Sequence, residues 1–70
     1  REENAAAYLA HLLDINYPTR YKNYKVVPSS KSLEYTLYDR RGLKKAQDFV
    51  KKAIPQLGLS GWTVNFQTYR

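Results

Sequence analysis

The chain has no cysteine, no methionine and a single histidine among its 70 residues, and these shortages exclude several kinds of protein. Without cysteine it has neither a disulfide nor a thiolate metal site. One histidine and scattered carboxylates leave a transition-metal site short of ligands, so we expect no metal and no cofactor. No apolar run approaches the ~18 residues that a membrane span needs.

Signals for catalysis are equally few. His11 is the only histidine, and it falls on the polar side of a predicted helix. The acidic residues are spread along the chain, so no pair is expected to meet in a cleft as acid and base. The three glycines form neither a phosphate loop nor a dinucleotide fingerprint. We therefore interpret the chain as non-enzymatic.

The start of the chain bears on its origin. Translation normally begins with methionine, so a chain that begins at Arg1 is expected to be a processed product or a piece excised from a longer protein. We treat 1–70 as one domain because so short a chain supports only a single core. Neither a cysteine nor a signal-peptide pattern is present, which favours an intracellular compartment without establishing it.

Positive charge is what the sequence has in excess, and it is concentrated in the middle of the chain. Ten of the 12 Lys and Arg residues lie between Arg20 and Lys52. Only Glu34, Asp39 and Asp48 oppose them in that window. The net charge is +6, and its uneven distribution predicts a one-sided field that favours a polyanion, most often nucleic acid.

Two segments show the three- and four-residue apolar spacing of amphipathic helices. The first helix is predicted over 4–15, with Asn4 as a capping residue. Its apolar stripe is Ala5, Tyr8, Leu9, Leu12 and Leu13. The second helix is predicted over 40–56, with Asp39 as its N-cap and Gly58 in a left-handed C-cap. Its apolar face is Leu43, Ala46, Phe49, Val50, Ala53, Ile54 and Leu57.

Three further segments are predicted as strands, at 21–27, 32–38 and about 62–69. The last two alternate apolar and polar residues, and the residues between the first two have the composition of a turn. The residues expected to face the core are Tyr24, Val26, Leu33, Tyr35, Leu37, Trp62, Val64 and Phe66. A strand–helix–strand connection places the third strand parallel to the second. We therefore predict a small α+β domain of order α-β-β-α-β, with a three-stranded mixed sheet and both helices packed on one face.

The outer face of the second helix is the first candidate site. It carries four lysines, and two arginines extend the row at the start of the helix. These residues are Arg40, Arg41, Lys44, Lys45, Lys51 and Lys52. The row is roughly 18 Å long, comparable to a few phosphate spacings. The alternative is a solvated helix face in which Asp48 pairs with Lys44 or Lys52.

The uncovered sheet face is the second candidate. Alternation places Tyr38 and Tyr69 there among amides and hydroxyls, with Tyr21 beside them if the first-strand register is right. Tyrosines on an open sheet suit stacking against unpaired bases. The alternatives are that tyrosine is simply a good strand former, or that this face packs on another protein or on its own copy.

The segment that leads into the first strand interleaves aromatic and cationic residues. These are Tyr17, Arg20, Tyr21, Lys22, Tyr24 and Lys25. Such a pattern suits contact with bases and phosphates together. It is equally typical of an edge strand that lysines protect from aggregation.

These patterns predict a small basic module that binds RNA or single-stranded DNA with low sequence specificity. Lysine supplies charge more readily than base-specific geometry, which disfavours reading of duplex DNA. The alternative is a protein interaction domain or a subunit of an assembly, including a homodimer through the tyrosine-rich sheet face. We rank an anionic membrane surface last, because the apolar stripe of the second helix is needed for the core.

Overall fold

A computed structural model of the chain describes residues 1–17 and 24–69. The helices and strands are α1 (Glu2–Asn16), β1 (Tyr24–Val27), β2 (Ser32–Leu37), α2 (Leu43–Gln56) and β3 (Thr63–Thr68). Short 3-10 turns at Pro28–Ser30 and Arg40–Gly42 precede β2 and α2. The predicted α-β-β-α-β order and the small α+β class are confirmed, while the predicted start of the first strand at 21 lies outside the described residues.

The three strands form one mixed sheet in the order β1-β2-β3. β1 is antiparallel to β2, with Tyr24 opposite Tyr35. β3 is parallel to β2, with Phe66 opposite Tyr35 on the other side. The predicted parallel pairing of the second and third strands is therefore confirmed, and β2 is the central strand.

Alternation along β2 separates a buried sheet face from an open one. Leu33, Tyr35 and Leu37 are at most 3% exposed, whereas the residues between them are half-buried and polar. The buried stripes of α1 and α2 belong to the same core cluster as these three side chains. Both helices thus cover one face of the sheet, as predicted.

The stripe of α1 that faces the core differs from the predicted one. The buried residues are Ala6, Leu9, Ala10 and Leu13. Tyr8, which was expected to face inward, is 52% exposed. Ala6 and Ala10 are small enough for the helix backbone to approach the sheet closely. The helix is therefore rotated so that these alanines face the core in place of Tyr8. Asn4 does not cap the helix either, because α1 begins at Glu2 and the N–H of Ala5 already donates to the carbonyl of Arg1 at 3.0 Å.

Asp14, which is absent from the predicted apolar stripe of the first helix, has a role in the core. It is half-buried, and its Oδ1 accepts a hydrogen bond from the Tyr35 hydroxyl at 2.5 Å. Tyr35 is 1% exposed, so its hydroxyl needs a partner within the protein. Burial, and then the contact with Asp14, raise the pKa of Tyr35 above the ordinary tyrosine value.

Of the two caps predicted for the second helix, the left-handed cap at Gly58 is confirmed and the Asp39 cap is displaced, because α2 begins at Leu43 with Gly42 as its N-cap and Asp39 caps the 3-10 turn before it. The Asp39 side chain accepts a hydrogen bond from the backbone N–H of Arg41 at 2.8 Å and starts the 3-10 turn that leads into the helix. At the other end Gly58 has a φ of +69°, and the N–H of Leu59 donates to the carbonyl of Ile54 at 2.9 Å. Leu59 is then buried against the core. None of the described helices is long and apolar enough to cross a membrane.

Replacing Tyr35 with Phe should lower the free energy of unfolding by about 1 kcal/mol at neutral pH, because the variant loses the hydrogen bond to Asp14. Folding raises the Tyr35 pKa above its ordinary value of 10.0, so the phenol stabilises the fold fully below that pH and progressively less above it. The difference in stability between wild type and variant should therefore shrink above about pH 10. Urea unfolding at neutral and alkaline pH measures it.

The exposed Tyr8 offers a matched control, since Tyr8→Phe removes the same hydroxyl from a surface position. That variant should change stability by less than about 0.5 kcal/mol. A Tyr35→Phe effect that is the same at neutral and alkaline pH would contradict the assignment.

Replacing Gly58 with Ala should destabilise the domain by about 1 kcal/mol, because a residue with a Cβ is strained at positive φ. An added Cβ at Gly58 meets no atom within 4 Å, so the cost is purely one of backbone conformation. Gly42→Ala is the control. Its φ is −86° and its added Cβ would lie 3.7 Å from Cδ1 of Tyr17, an ordinary contact. Thermal unfolding should separate the two variants, and equal losses would argue against the left-handed cap.

Candidate nucleic-acid interface

The four lysines of α2 all lie on its solvent side. Packing decides this, because Ala46, Val50 and Ala53 form the buried stripe of the helix and leave the opposite side to water. The exposed cations are Lys44, Lys45, Lys51 and Lys52. Pairs seven residues apart stack along the helix at a separation of roughly 10 Å, so the four ammonium groups form a basic face two turns long. We call these four residues the lysine face.

The lysine face has two flanks. Lys44 and Lys51 border a groove between α2 and β3. Lys52 borders a second groove, between α2 and α1, that Leu12 and Phe49 also line. Lys45 lies two turns before Lys52 and therefore on the same flank. The two pairs can be changed separately because they lie on opposite flanks of this one face.

Most of this charge is not neutralised by carboxylates. Lys44 Nζ lies 3.7 Å from Asp48 Oδ2, with the two side chains 86% and 57% exposed, so the pair is weak. Within residues 1–17 and 24–69, Lys45, Lys51 and Lys52 have no carboxylate oxygen within 4.0 Å. The alternative of an ion-paired helix face thus applies to Lys44 alone.

The two arginines before α2 differ from each other. Arg41 donates from Nε and Nη2 to Asp39 Oδ2, at 3.2 and 2.8 Å. This hydrogen bonding, and then the charge of Asp39, raise the pKa of Arg41. Arg40 is exposed and forms no ion pair with the described carboxylates. Arg41 therefore contributes less free charge to the site than the sequence implied.

The two predicted stacking tyrosines lie where β2 and β3 end. Tyr38 is 44% exposed and Tyr69 54%. The backbone N–H of Tyr69 donates to the carbonyl of Leu37 at 3.1 Å, so the two tyrosines leave the sheet side by side. The chain then passes from Tyr38 through Arg40 to the lysine face. Tyr38 is thus close along the chain to the N-terminal end of that face, and Tyr69 lies beside Tyr38.

The middle of the open sheet face is less suited to binding a polyanion than the lysine face is. Lys25 is exposed there, but the residue opposite it on β2 is the acidic Glu34. Asn65 follows on β3, so the row has one positive and one negative charge. This face lies on the opposite side of the sheet from α2. Lys25 is consequently separated from the lysine face by the sheet and the core.

The segment before β1 was a third candidate. Arg20, Tyr21 and Lys22 lie outside the described residues. Tyr17 and Tyr24 are partly buried and pack against the core cluster. These two rings therefore support the fold, and the predicted alternation of stacking and cationic residues does not extend over them.

The sequence interpretation missed a groove between α2 and β3 of about 530 Å³. Val50 and Ile54 line its helix side, and Trp62, Val64 and Phe66 line its sheet side. The sequence did contain a signal for this groove. The last strand alternates apolar residues that must be covered, and a single helix with alanines on its buried face covers them only in part. Trp62 is 8% exposed, and its Nε1 is buried with no hydrogen-bond partner among the residues that the structure describes.

No group of three His, Cys, Asp or Glu side chains converges on a possible metal position within the described part of the chain.

The sequence matches no model of a known protein family, and it is not significantly similar to any curated protein or solved structure compared with it.

Proposed function

We propose that this domain binds single-stranded nucleic acid, RNA or single-stranded DNA, through the lysine face of α2, without catalysis and with low sequence specificity. The observation that carries the proposal is that four exposed lysines share one helix face on which Asp48 is the only acid. Three of those lysines have no carboxylate partner among the described residues. Such a face attracts phosphates and releases their counterions.

The chemistry of lysine supports low specificity. An ammonium group on a flexible stem contacts a phosphate as a point charge, whereas bidentate reading of a base favours arginine. Arg41, one of the two arginines next to the helix, is already hydrogen-bonded to Asp39. Binding is therefore expected to depend on charge more than on sequence.

The tyrosine pair supports a preference for single strands. Unpaired bases can stack on exposed rings, and each stacked base adds ~1–3 kcal/mol. Tyr38 and Tyr69 lie side by side and about half exposed, and Tyr38 comes just before the segment that leads to the lysine face. A strand whose phosphates follow α2 could place a base at this end. Duplex DNA offers no unpaired base to these rings.

Binding to a mixed-sequence single-stranded oligonucleotide should weaken steeply with salt. Four phosphate contacts predict a slope of about −3 in log affinity against log salt, or a roughly 50-fold loss between 50 and 200 mM. Fluorescence anisotropy titrations at several salt concentrations measure the slope. An absence of binding even at low salt would exclude the proposal.

Position, and not total charge alone, should decide the affinity. Lys51→Gln with Lys52→Gln removes two charges from the lysine face, and Lys25→Gln with Lys31→Gln removes two charges elsewhere. We expect the first pair to weaken binding at low salt about tenfold and the second about twofold, because near phosphates contribute directly while distant charges contribute only to the general field. Equal losses would show that net charge alone drives binding.

Asp48→Asn should act in the opposite direction. It removes the only acid on the lysine face and frees Lys44, so affinity for the same oligonucleotide should rise about threefold at low salt. Asp14→Asn is unsuitable as a control because Asp14 holds Tyr35, so the comparison should use Glu3→Gln on the exposed start of α1. A rise of equal size in that variant would again indicate a general field effect.

The exposed tyrosine pair is also compatible with a second function, as an interaction domain or a homodimer joined through the tyrosine-rich sheet face. This hypothesis predicts a dimer or larger species in light scattering that Tyr38→Ser or Tyr69→Ser abolishes. A monomer at high concentration would exclude self-association.

A further inference from the structure

The outer edge of β3 is unprotected. β3 ends the sheet on one side, and no other described segment pairs with its outer edge. Its six residues include no charge and no proline, and its pairing with β2 runs from Ser32–Thr63 to Leu37–Thr68 without a bulge. Natural edge strands usually carry a charge, a proline or a bulge, which prevents them from pairing with other chains. β1, at the other edge, does carry an exposed lysine, Lys25.

The hydrogen-bonding pattern shows which backbone groups point to this free edge. Thr63 donates to the carbonyl of Lys31 at 3.0 Å, and Tyr69 donates to the carbonyl of Leu37 at 3.1 Å. In a parallel ladder every second residue bonds to the same neighbour. The N–H groups of Val64, Phe66 and Thr68 therefore point away from β2, toward the open edge.

The groove between α2 and β3 lies beside the same edge. Val64 and Phe66 point into it and are only half-buried, and Ile54 on α2 is in the same state. A strand added to β3 would place every second side chain over these three residues. The free backbone edge and the incompletely covered apolar groove thus invite the same occupant, an extended segment.

Charge decides the chemistry of that segment. Lys44, Lys51 and one acid, Asp48, line the groove, so the charge of its lining is net positive. A second copy paired antiparallel through β3 would bring the Lys44 and Lys51 of both copies together across the contact. Carboxylates in the incoming segment would instead be attracted by these ammonium groups.

We propose that the β3 edge and its groove dock an extended segment of a partner protein, with apolar side chains over Val64 and Phe66 and acidic side chains toward Lys44 and Lys51. Backbone hydrogen bonds to the edge supply the general affinity, and the side-chain pattern supplies selection. This docking site is distinct from the proposed nucleic-acid-binding site, although both include the Lys44 and Lys51 flank of the lysine face.

A blocked peptide of sequence Glu-Thr-Val-Thr-Val-Thr-Glu is a suitable probe. Every second residue can face the groove, with valines at the centre and glutamates at the ends, and the sequence reads the same in both strand directions. NMR titration should shift the amide signals of Val64, Phe66 and Thr68 more than that of Lys25 on the other edge. The same peptide with lysines in place of the glutamates should bind at least fivefold more weakly.

The two flanks of α2 provide matched variants. Lys44→Glu with Lys51→Glu should weaken binding of the acidic peptide at least tenfold and strengthen binding of the lysine peptide. Lys45→Glu with Lys52→Glu makes the same charge change on the other flank and should alter binding less than threefold. Thr68→Pro should also weaken binding while the sheet persists, because the N–H that it removes points to the free edge.

Four results would overturn the proposal. They are an acidic peptide that leaves the β3 amides unshifted, equal effects of the two flank variants, β3 shifts that appear on concentrating the protein alone, and β3 shifts produced by an oligonucleotide but not by the peptide. The third would assign the edge to a second copy, and the fourth to nucleic acid. The peptide titration does not depend on oligonucleotide binding, so a loss of oligonucleotide binding in the lysine-face variants would not change what it shows about the β3 edge.

Discussion

The burial of Tyr35 in the central strand is the interaction on which the rest of this structure depends. Its backbone lies between β1 and β3, in register with Tyr24 on one side and Phe66 on the other, and its ring is edge-on to that of Phe66 with centroids 6.1 Å apart. Its hydroxyl reaches across to α1, where Asp14 accepts its hydrogen bond. One side chain thus joins all three strands to the first helix, and in a domain this small few contacts could replace it.

The same core explains why the four lysines of α2 lie on one surface. α2 contributes Ala46, Val50 and Ala53 to the cluster around β2, and Leu43, Phe49 and Ile54 pack partly against it, so the opposite side of the helix faces water. All four lysines of the helix lie on that side, since lysine has little reason to be buried. The basic face is therefore a consequence of how the helix packs, and the proposed contact with phosphates makes use of it.

Local patterns predicted the parts of the fold that depend on neighbouring residues. The alternation of Leu33, Tyr35 and Leu37 identified β2 because every second side chain of a strand faces the same way. Gly58 identified the end of α2 because the turn that ends a helix in this way needs positive φ. The stripe of α1 was misjudged at Tyr8, because periodicity does not tell how closely a helix can approach a sheet when alanines are available.

The sequence by itself determined the order of helices and strands, the two faces of the sheet and the exposure of the α2 lysines, since each follows from side-chain periodicity. Only the tertiary structure decided which charges are neutralised and which surfaces stay uncovered. The pairing of Arg41 with Asp39, the place of Glu34 beside Lys25, and the groove along β3 depend on distances between side chains and between packed elements. Periodicity along the chain carries no such distances, because they are set when the helices settle on the sheet.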